Sequence, residues 1–200
     1  MSKSKSDFAR YFDKLEKLQT WIVDDLTRAT INAQANFLVA MGVFNYIEIL
    51  DGFCTPGGSV GKDRFNFVFK KLLPTPYKTI YDKLTRITHK GAYDCLRCGM
   101  THEYLMKTHT LKERISSIDF TVYGVDDEAE FHQNVLTNFC GLELIVFEKD
   151  SYHLRVHNPR LIHDLNIAFE ELKKKLSDDE IGYRKKFVDR CEEIRLEQLT

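Results

Sequence analysis

Residues 31–50 read Ile31-Asn-Ala-Gln-Ala-Asn-Phe-Leu-Val-Ala-Met-Gly-Val-Phe-Asn-Tyr-Ile-Glu-Ile-Leu50, a stretch that is apolar on nearly every side of a helix. A helix without a polar face belongs in the middle of a bundle, because neighbouring elements must cover every side. Residues 31–50 are therefore predicted to form the central helix of a mainly helical domain. This helix is predicted to end at Asp51-Gly52.

Amphipathic patterns on both sides of this stretch predict the helices that cover it. Apolar residues recur at steps of three and four from Phe8 to Leu26, as on the buried face of a surface helix. Pro74-Thr75-Pro76 and Lys90-Gly91 separate the next helices, since proline cannot continue the backbone hydrogen-bond ladder. These predicted helices cover about Asp63–Leu73, Tyr77–Ile87 and Ala92–Met106.

A change to β-branched and aromatic residues later in the chain predicts a small sheet. Leu142–Phe147 and Tyr152–His157 flank a short polar turn and are predicted to pair as an antiparallel β-hairpin. Ser117–Tyr123 has the same composition. The second arm of the hairpin alternates apolar residues with histidine and arginine, so one face is expected to be buried and the other wet.

Two helices are predicted to follow the hairpin. Asn158-Pro159 supplies a capping side chain and a proline for the first turn, a strong helix start. Ser177-Asp178-Asp179-Glu180 matches a capping box, which would open a final helix that runs through Ile194.

Length and composition favour a single domain over residues 1–200. Hydrophobic residues make up 43% of the chain and aromatic residues 12%, enough for one core. The predicted fold class is mainly α, a helical bundle with a small antiparallel hairpin or sheet in the C-terminal half (α+β). Residues 1–109 are assigned to the bundle with the motif helix, and residues 110–200 to the sheet and two helices that pack on the bundle.

The cysteines and the N-terminal residues indicate a cytoplasmic protein. Five cysteines, an odd number, occur in a chain whose first residues are polar and lack an apolar leader. No run of the sequence approaches the roughly 18 apolar residues that a membrane span needs. We therefore expect reduced thiols, a cytoplasmic location and no membrane association.

Positive charge is concentrated in one part of the chain. The net charge is −1 overall, but residues 62–114 carry twelve Lys and Arg residues against five Asp and Glu residues. Phosphate contacts supply most of the affinity of proteins for nucleic acids. The local surplus therefore favours an RNA-facing surface in this part of the chain.

One segment within this basic part combines reactive side chains, Arg97-Cys98-Gly99-Met100-Thr101-His102-Glu103-Tyr104. Arginine is always charged and can bind a phosphate with two N–H groups. Histidine can accept or release a proton near neutral pH. Together they suffice to cleave a phosphodiester without a metal, because one moves the proton and the other stabilises the developing charge.

The spacing Arg-x4-His-x-Tyr resembles the signature of the HEPN family, small helical proteins of which many are RNases of toxin–antitoxin and antiviral systems. The resemblance implies a homodimeric endoribonuclease that needs neither metal nor cofactor and leaves 2′,3′-cyclic phosphate ends on RNA. It implies that Arg97 and His102 are the catalytic residues. The residues expected to line the same site are Tyr104, Cys98, Glu103 and Lys107.

The geometry of an α-helix gives a reason for the homodimer. At about 100° per residue, Arg97 and His102 lie about 140° apart around one helix. A single helix would not bring both side chains to one phosphate. A two-fold axis would bring a second copy of each residue into a shared cleft.

Two other functions stay open. Active family members usually carry Asn or Asp directly after the arginine, whereas this chain has Cys98, and a thiol is a weak hydrogen-bonding group. The first alternative is a non-catalytic HEPN-like interaction protein, in which a partner nucleotidyltransferase, acting as antitoxin, modifies Tyr104. The second is a structural or nucleotide-binding helical bundle.

Zinc is a further question, because Cys95, Cys98 and His102 share one stripe of the predicted helix. Structural zinc takes four ligands from Cys and His, and a second pair of cysteines at matching spacing is missing from the sequence. The cysteines are predicted to pack between helices and to carry no metal.

Overall fold

The computed structural model describes residues 5–54, 61–88, 91–99, 110–111, 114–115, 117–148, 151–178, 182–194 and 196. The helices are α1 (Lys5–Ala33), α2 (Asn36–Gly52), α3 (Gly61–Lys71), α4 (Thr75–Ile87), α5 (Gly91–Tyr93), α6 (Glu128–Thr137), α7 (Asn158–Asp178) and α8 (Tyr183–Glu193). A π-helical turn, Asp94–Gly99, continues α5. The strands are β1 (Thr110–Leu111), β2 (Arg114–Ile115), β3 (Ser117–Tyr123), β4 (Leu142–Glu148) and β5 (Ser151–His157). The protein is therefore mainly helical with a small sheet in its C-terminal half, as the sequence predicts.

The central helix of the bundle is α2, as predicted, but it is shorter than the predicted stretch. Val43 and Ile47 are fully buried, and α1, α3 and α7 pack around α2. The prediction of one helix over residues 31–50 is wrong at its start, because residues 31–33 complete α1. Gln34 has a φ of +48°, a left-handed conformation that ends a right-handed helix. No glycine or proline marks this position in the sequence.

Aromatic rings join the helices around α2. The Phe65 ring of α3 lies 4.7 Å from the ring of Phe69 and 6.2 Å from that of Phe44 on α2. The same ring meets Tyr93 of α5 edge-on, with 5.4 Å between the centroids. Phe65 therefore anchors the helix that leads into the Arg97 segment against the middle of the bundle.

The breaks between α3, α4 and α5 lie where the sequence predicts them. Pro76 lies in the first turn of α4, where the missing N–H removes no helical hydrogen bond. Gly91 has a φ of +85°, which residues with a side chain rarely adopt. This glycine is the first residue of α5.

Three strands form a mixed sheet in the order β3-β5-β4, and β1 and β2 form a separate antiparallel pair. β4 and β5 pair antiparallel, with Leu144 opposite Leu154, which confirms the predicted hairpin. β3 joins β5 in parallel, with Phe120 opposite Leu154, so the sheet is not antiparallel throughout. A parallel pair needs a long crossover, which the chain makes through α6 and β4.

Helix α6 connects β3 to β4 and has no counterpart in the sequence prediction. The Asp127 side chain caps it by accepting a hydrogen bond from Glu130 N at 2.8 Å, and Glu130 Oε2 accepts one from Asp126 N. Phe131 is the buried residue of α6, whereas Leu136 is exposed, so its apolar periodicity is weak. The acidic start was the signal that could have revealed this helix.

The predicted start of α7 at Asn158 is confirmed, but the Asn158 side chain does not cap the helix, because its Oδ1 accepts no hydrogen bond from the described residues and its Nδ2 donates to Asn36 O at 2.8 Å. The predicted capping box of the last helix is also wrong. α7 begins at Asn158 and includes Ser177 in its last turn, so Ser177 cannot cap α8. Gly182, in a left-handed conformation, precedes α8 instead. Arg184 Nε donates to Leu176 O at 2.7 Å, which satisfies a carbonyl at the end of α7.

One hydrophobic core runs through both parts of the chain. α7 packs on α1 and α2, and Gln19 Nε2 of α1 donates to Asn166 Oδ1 and Glu170 Oε1 of α7, both at 2.7 Å. The helix that follows the sheet is therefore built into the bundle of the first helices. Among the described helices, none has the length and apolar character needed to cross a membrane.

A buried carboxylate connects four elements of this core. Asp164 of α7 is fully buried, and Tyr77 of α4 donates to its Oδ2 at 2.7 Å. Gly141 N, just before β4, donates to Tyr77 Oη at 2.9 Å and to Asp164 Oδ2 at 3.2 Å. Arg160 donates from Nε to Asp164 Oδ1 at 2.9 Å and from Nη1 to Val135 O of α6 at 3.1 Å. Burial, and then the Asp164 charge, raises the pKa of Tyr77 well above its usual value, so its hydroxyl stays a donor.

Gly141→Ala should destabilise the fold, because the added Cβ would lie 2.5 Å from both Leu161 Cα and Tyr77 Oη. A backbone atom cannot move away easily, and overpacking of this kind costs about 1–3 kcal/mol. Gly42→Ala is the matched control, since its Cβ would meet the flexible end of the Leu26 side chain at 3.1 Å and alanine favours a helix. Denaturant unfolding of the three proteins measures the difference. Equal stability of Gly141→Ala and the wild type would contradict the prediction.

His157 lies partly covered on the outer face of the sheet. Its ring stacks on Tyr123, with 5.0 Å between centroids and 10° between planes, and its Nε2 is 4.0 Å from Glu143 Oε2. Burial is the main cause that lowers the pKa of His157. The charge of Glu143 raises this pKa and the charge of Arg155 lowers it, both by smaller amounts. The His157 imidazole therefore binds a proton less readily in the folded protein than in the unfolded chain.

Part of the stability should consequently be lost as the pH falls below about 6.5, the usual pKa of histidine. The unfolded chain takes up the proton first, so the contribution of His157 is present above this pH and is lost as the pH falls through the lowered pKa. His157→Gln should lose less unfolding free energy than the wild type between neutral and mildly acidic pH. His132→Gln, which replaces an exposed histidine, is the control for the substitution itself. If the unfolding free energy of His157→Gln falls with pH as steeply as that of the wild type, His157 is not the source of this pH dependence.

Candidate functional site

The segment that carries Arg97 packs against α2 as predicted, but it is not α-helical. Residues Asp94–Gly99 form a π-helical turn, in which Cys95 and Leu96 are buried. Such turns are rare and occur frequently at functional sites. The separation of about 140° between Arg97 and His102 assumes an α-helix, so it does not apply to this turn.

Arg97 is held by an ion pair with the central helix. Its Nε donates to Glu48 Oε2 at 2.7 Å, a distance typical of charge-assisted hydrogen bonds. The two side chains are only 20% and 22% exposed, so solvent screens this pair less than it screens surface pairs. Glu48 is the only charged residue between Asn36 and Leu50, and it fixes the guanidinium beside α2.

A polar cavity of about 250 Å³ opens beside this ion pair. Arg190 of α8 also has an acidic neighbour, since its Nη1 lies 2.7 Å from Glu193 Oε2. Two guanidinium groups therefore line one cavity, each beside a carboxylate. The residues that form the walls are Asn45, Glu48, Ile49, Arg97 and Arg190.

An apolar cavity of about 310 Å³ adjoins the polar one, and Ile49 and Arg190 line both. Trp21 of α1 is 56% exposed and Ile49 is 43% exposed. Contiguous exposed apolar side chains mark binding surfaces more often than single ones do. The apolar walls include Trp21, Ile22, Tyr46, Ile49 and Phe53.

Arg97 is the one predicted site residue whose side chain the structure describes. Cys98 contributes its backbone to the π-helical turn. The rest of the predicted motif helix, to Met106, lies outside the described residues, and so do four residues whose roles stay predictions: His102, Glu103, Tyr104 and Lys107.

The sequence prediction did not include Asn45, Glu48 or Arg190. Glu48 carried a signal, because a single acid in an otherwise uncharged central helix needs a partner when it is partly buried. Arg190 carried none, since α8 is rich in charged residues and only the fold brings this side chain to the cavity at α2.

The thiol of Cys95 is buried between helices, as predicted. Burial, and then the charge of Asp94, raises the pKa of Cys95 to about 12, and metals bind the thiolate and not the protonated thiol. Among the residues that the structure describes, no group of three or more His, Cys, Asp or Glu side chains is arranged to hold a metal ion. The absence of metal at Cys95 and Cys98 stays a prediction, because the Cys98 side chain and His102 are not described.

The Arg97–Glu48 pair should show a coupling of about 1.5–3 kcal/mol in a double-mutant cycle, the range for hydrogen bonds to charged groups. Arg97→Ala, Glu48→Ala and the double variant would be unfolded with denaturant beside the wild type. The Arg28–Asp25 pair of α1 is the control: its atoms are 3.7 Å apart and its side chains 66% and 53% exposed. Its coupling should stay below about 0.5 kcal/mol. Equal couplings for the two pairs would mean that Glu48 does not hold Arg97.

No protein-family model, no curated protein and no solved structure matches the chain. The case for its function therefore rests on two features of the molecule. One is the Arg-x4-His-x-Tyr spacing from Arg97 to Tyr104, and the other is the geometry around Arg97.

Proposed function

We propose that the chain is a metal-independent endoribonuclease of the HEPN type, which acts as a homodimer on cytoplasmic RNA in a toxin or defence system. His102 takes the proton from the ribose 2′-hydroxyl, and Arg97 binds the non-bridging phosphate oxygens as negative charge develops. The 2′-oxygen attacks phosphorus, the bond between phosphorus and the 5′-oxygen breaks, and the 5′-oxygen leaves with the proton that His102 returns, so that a 2′,3′-cyclic phosphate remains. DNA lacks the 2′-hydroxyl and is not cleaved.

The observation that carries the proposal is the position of Arg97 at a partly buried cavity with a second arginine. Guanidinium groups bind phosphate oxygens through parallel N–H donors, and their charge acts more strongly where solvent is partly excluded. Arg97 lies on a π-helical turn, and Arg190 lines the same cavity. This arrangement suits a phosphate group, the group on which RNA cleavage takes place.

Glu48 supports the proposal by orienting Arg97. Its carboxylate accepts the Arg97 Nε hydrogen bond at 2.7 Å and is itself carried by the buried central helix. Electrostatic stabilisation is most effective when the charged group need not reorient as the reaction proceeds. The ion pair supplies this preorganisation before RNA binds.

A non-catalytic interaction protein is the second candidate, and the same ion pair favours it. Glu48 offsets the charge of Arg97, so a phosphate must compete with a carboxylate that is already in place. Cys98 also replaces the Asn or Asp that usually follows the motif arginine in active HEPN proteins. In this alternative a partner nucleotidyltransferase modifies Tyr104, and the chain acts through contacts and not through cleavage.

His102→Ala should abolish RNA cleavage, since it removes the proposed proton carrier. Arg97→Ala should lower the rate by about 10²–10³, the usual effect of losing one charge-stabilising group. Cleavage would be followed on end-labelled RNA in the presence of a chelator, and the new ends analysed for cyclic phosphate. The chelator should leave the rate unchanged, and a DNA strand of the same sequence should stay intact.

Cys98→Asn separates the two candidate functions. If Cys98 limits the orientation of the catalytic groups, the asparagine variant should cleave faster than the wild type. Arg28→Ala removes an exposed arginine of α1 and should cleave at the wild-type rate, which controls for general loss of positive charge. If the wild type and Cys98→Asn leave RNA as intact as His102→Ala does, the nuclease is rejected and the interaction protein remains.

A further inference from the structure

The apolar cavity and the polar cavity adjoin at two shared lining residues. Trp21 and Tyr46 line the apolar end, Glu48 and Arg97 line the polar end, and Ile49 and Arg190 line both. We call these two adjoining cavities together the Trp21 groove, with an apolar end and a polar end. A mostly apolar concavity with a few polar groups at one end is the usual form of a small-ligand site.

The apolar end leaves two large side chains in contact with water. Trp21 of α1 is 56% exposed and Ile49 of α2 is 43% exposed. A planar ligand that stacked on the indole and covered Ile49 would remove this apolar area from water. Nucleobases have this shape, and every base offers a π-face to an aromatic side chain.

The polar end supplies the charge that the phosphate of a nucleotide needs. Arg97 reaches it from the π-helical turn and Arg190 from α8. Each arginine lies 2.7 Å from a carboxylate oxygen, that of Glu48 or of Glu193. A phosphate would exchange with these carboxylates, so its binding should be modest in strength and should weaken as salt is added.

The other surroundings of Trp21 decide the orientation of the ligand. Away from the groove, Trp21 borders an open surface concavity lined by Asp13, Glu16 and Asp24, together with Lys17, which pairs with Asp13. The three acidic residues outnumber Lys17, so this concavity would repel a phosphate. The nucleobase of the ligand therefore belongs at Trp21, and its phosphate belongs at the opposite end of the groove.

We propose that the Trp21 groove is a nucleotide subsite, which binds one unpaired nucleotide of RNA with its base on Trp21 and its phosphate at Arg97 and Arg190. The identity of the ligand as RNA rests on the proposed nuclease function. The subsite adds a preference for single-stranded RNA next to the cut, because a base inside a duplex is stacked on its neighbours and cannot reach the indole.

Trp21 is the only tryptophan of the chain, so intrinsic fluorescence reports on the groove directly. The four 3′-nucleoside monophosphates would be titrated at low salt into the full-length His102→Ala variant, which should bind without cleaving. N-acetyltryptophanamide serves as the control for absorption by the nucleotide. A saturable change in Trp21 fluorescence is expected with nucleotides, and no change with inorganic phosphate, which lacks the base.

Ile49→Asp and Arg190→Gln, made in the same background, should each weaken nucleotide binding at least about fivefold. Leu38→Asp replaces another exposed apolar residue of α2, about three turns away, and Arg28→Gln replaces an exposed arginine of α1. Both controls should keep the dissociation constant. Glu48→Gln should lower the dissociation constant, because it removes a competing carboxylate. Circular dichroism confirms that each variant is folded.

The subsite is overturned if no nucleotide gives a saturable change, or if Ile49→Asp and Arg190→Gln bind as tightly as their parent. Cleavage assays distinguish this failure from failure of the nuclease. Normal cleavage without any nucleotide effect on Trp21 would reject the subsite and keep the nuclease. A saturable, groove-dependent change in a protein that cleaves no RNA would keep the subsite and reject the nuclease.

Discussion

The hydrogen bond from Tyr77 to the buried Asp164 carboxylate lies at the centre of the network that joins the sheet to the helices. A buried carboxylate is costly unless hydrogen bonds and a cation satisfy its oxygens, and here Tyr77, Gly141 N and Arg160 do so. These groups come from α4, the entry to β4 and α7, and Arg160 also reaches Val135 O of α6. The network therefore closes the sheet onto the helical bundle, and it does so at a position where Gly141 leaves no room for a side chain.

The same helix that carries Asp164, α7, packs against α1 and α2 and covers part of the central helix. α2 buries most of its apolar side chains, while Glu48 and Ile49 remain where the π-helical turn and α8 approach it. A partly buried carboxylate at this place needs a cation, and Arg97 supplies it at 2.7 Å. The ion pair has two opposite effects, because it orients Arg97 and also offsets its charge. The two candidate functions differ in which of these effects dominates.

The Trp21 groove gives α1 a role beyond packing. This helix of 29 residues buries one side in the core, yet it leaves its tryptophan exposed next to the cavity that holds Arg97. An arginine and a histidine are enough for the chemistry of RNA cleavage, but they do not hold the RNA on either side of the cut. Binding energy from a part of the substrate that does not react can position the part that does. A base held at Trp21 would supply that positioning.

The sequence by itself determined the helical bundle, the hairpin and the helix boundaries near Pro76, Gly91 and Asn158, because periodicity and backbone chemistry act over a few residues. It also singled out Arg97. The break between α1 and α2 at Gln34 could not be predicted from the local sequence, because Gln34 donates a hydrogen bond to Asp126, 92 positions further along the chain. The parallel pairing of β3 with β5 and the meeting of Arg97 with Glu48 at a shared cavity were likewise decided only by the tertiary structure. These contacts join residues that are far apart in sequence, and their distances are fixed only when the core closes.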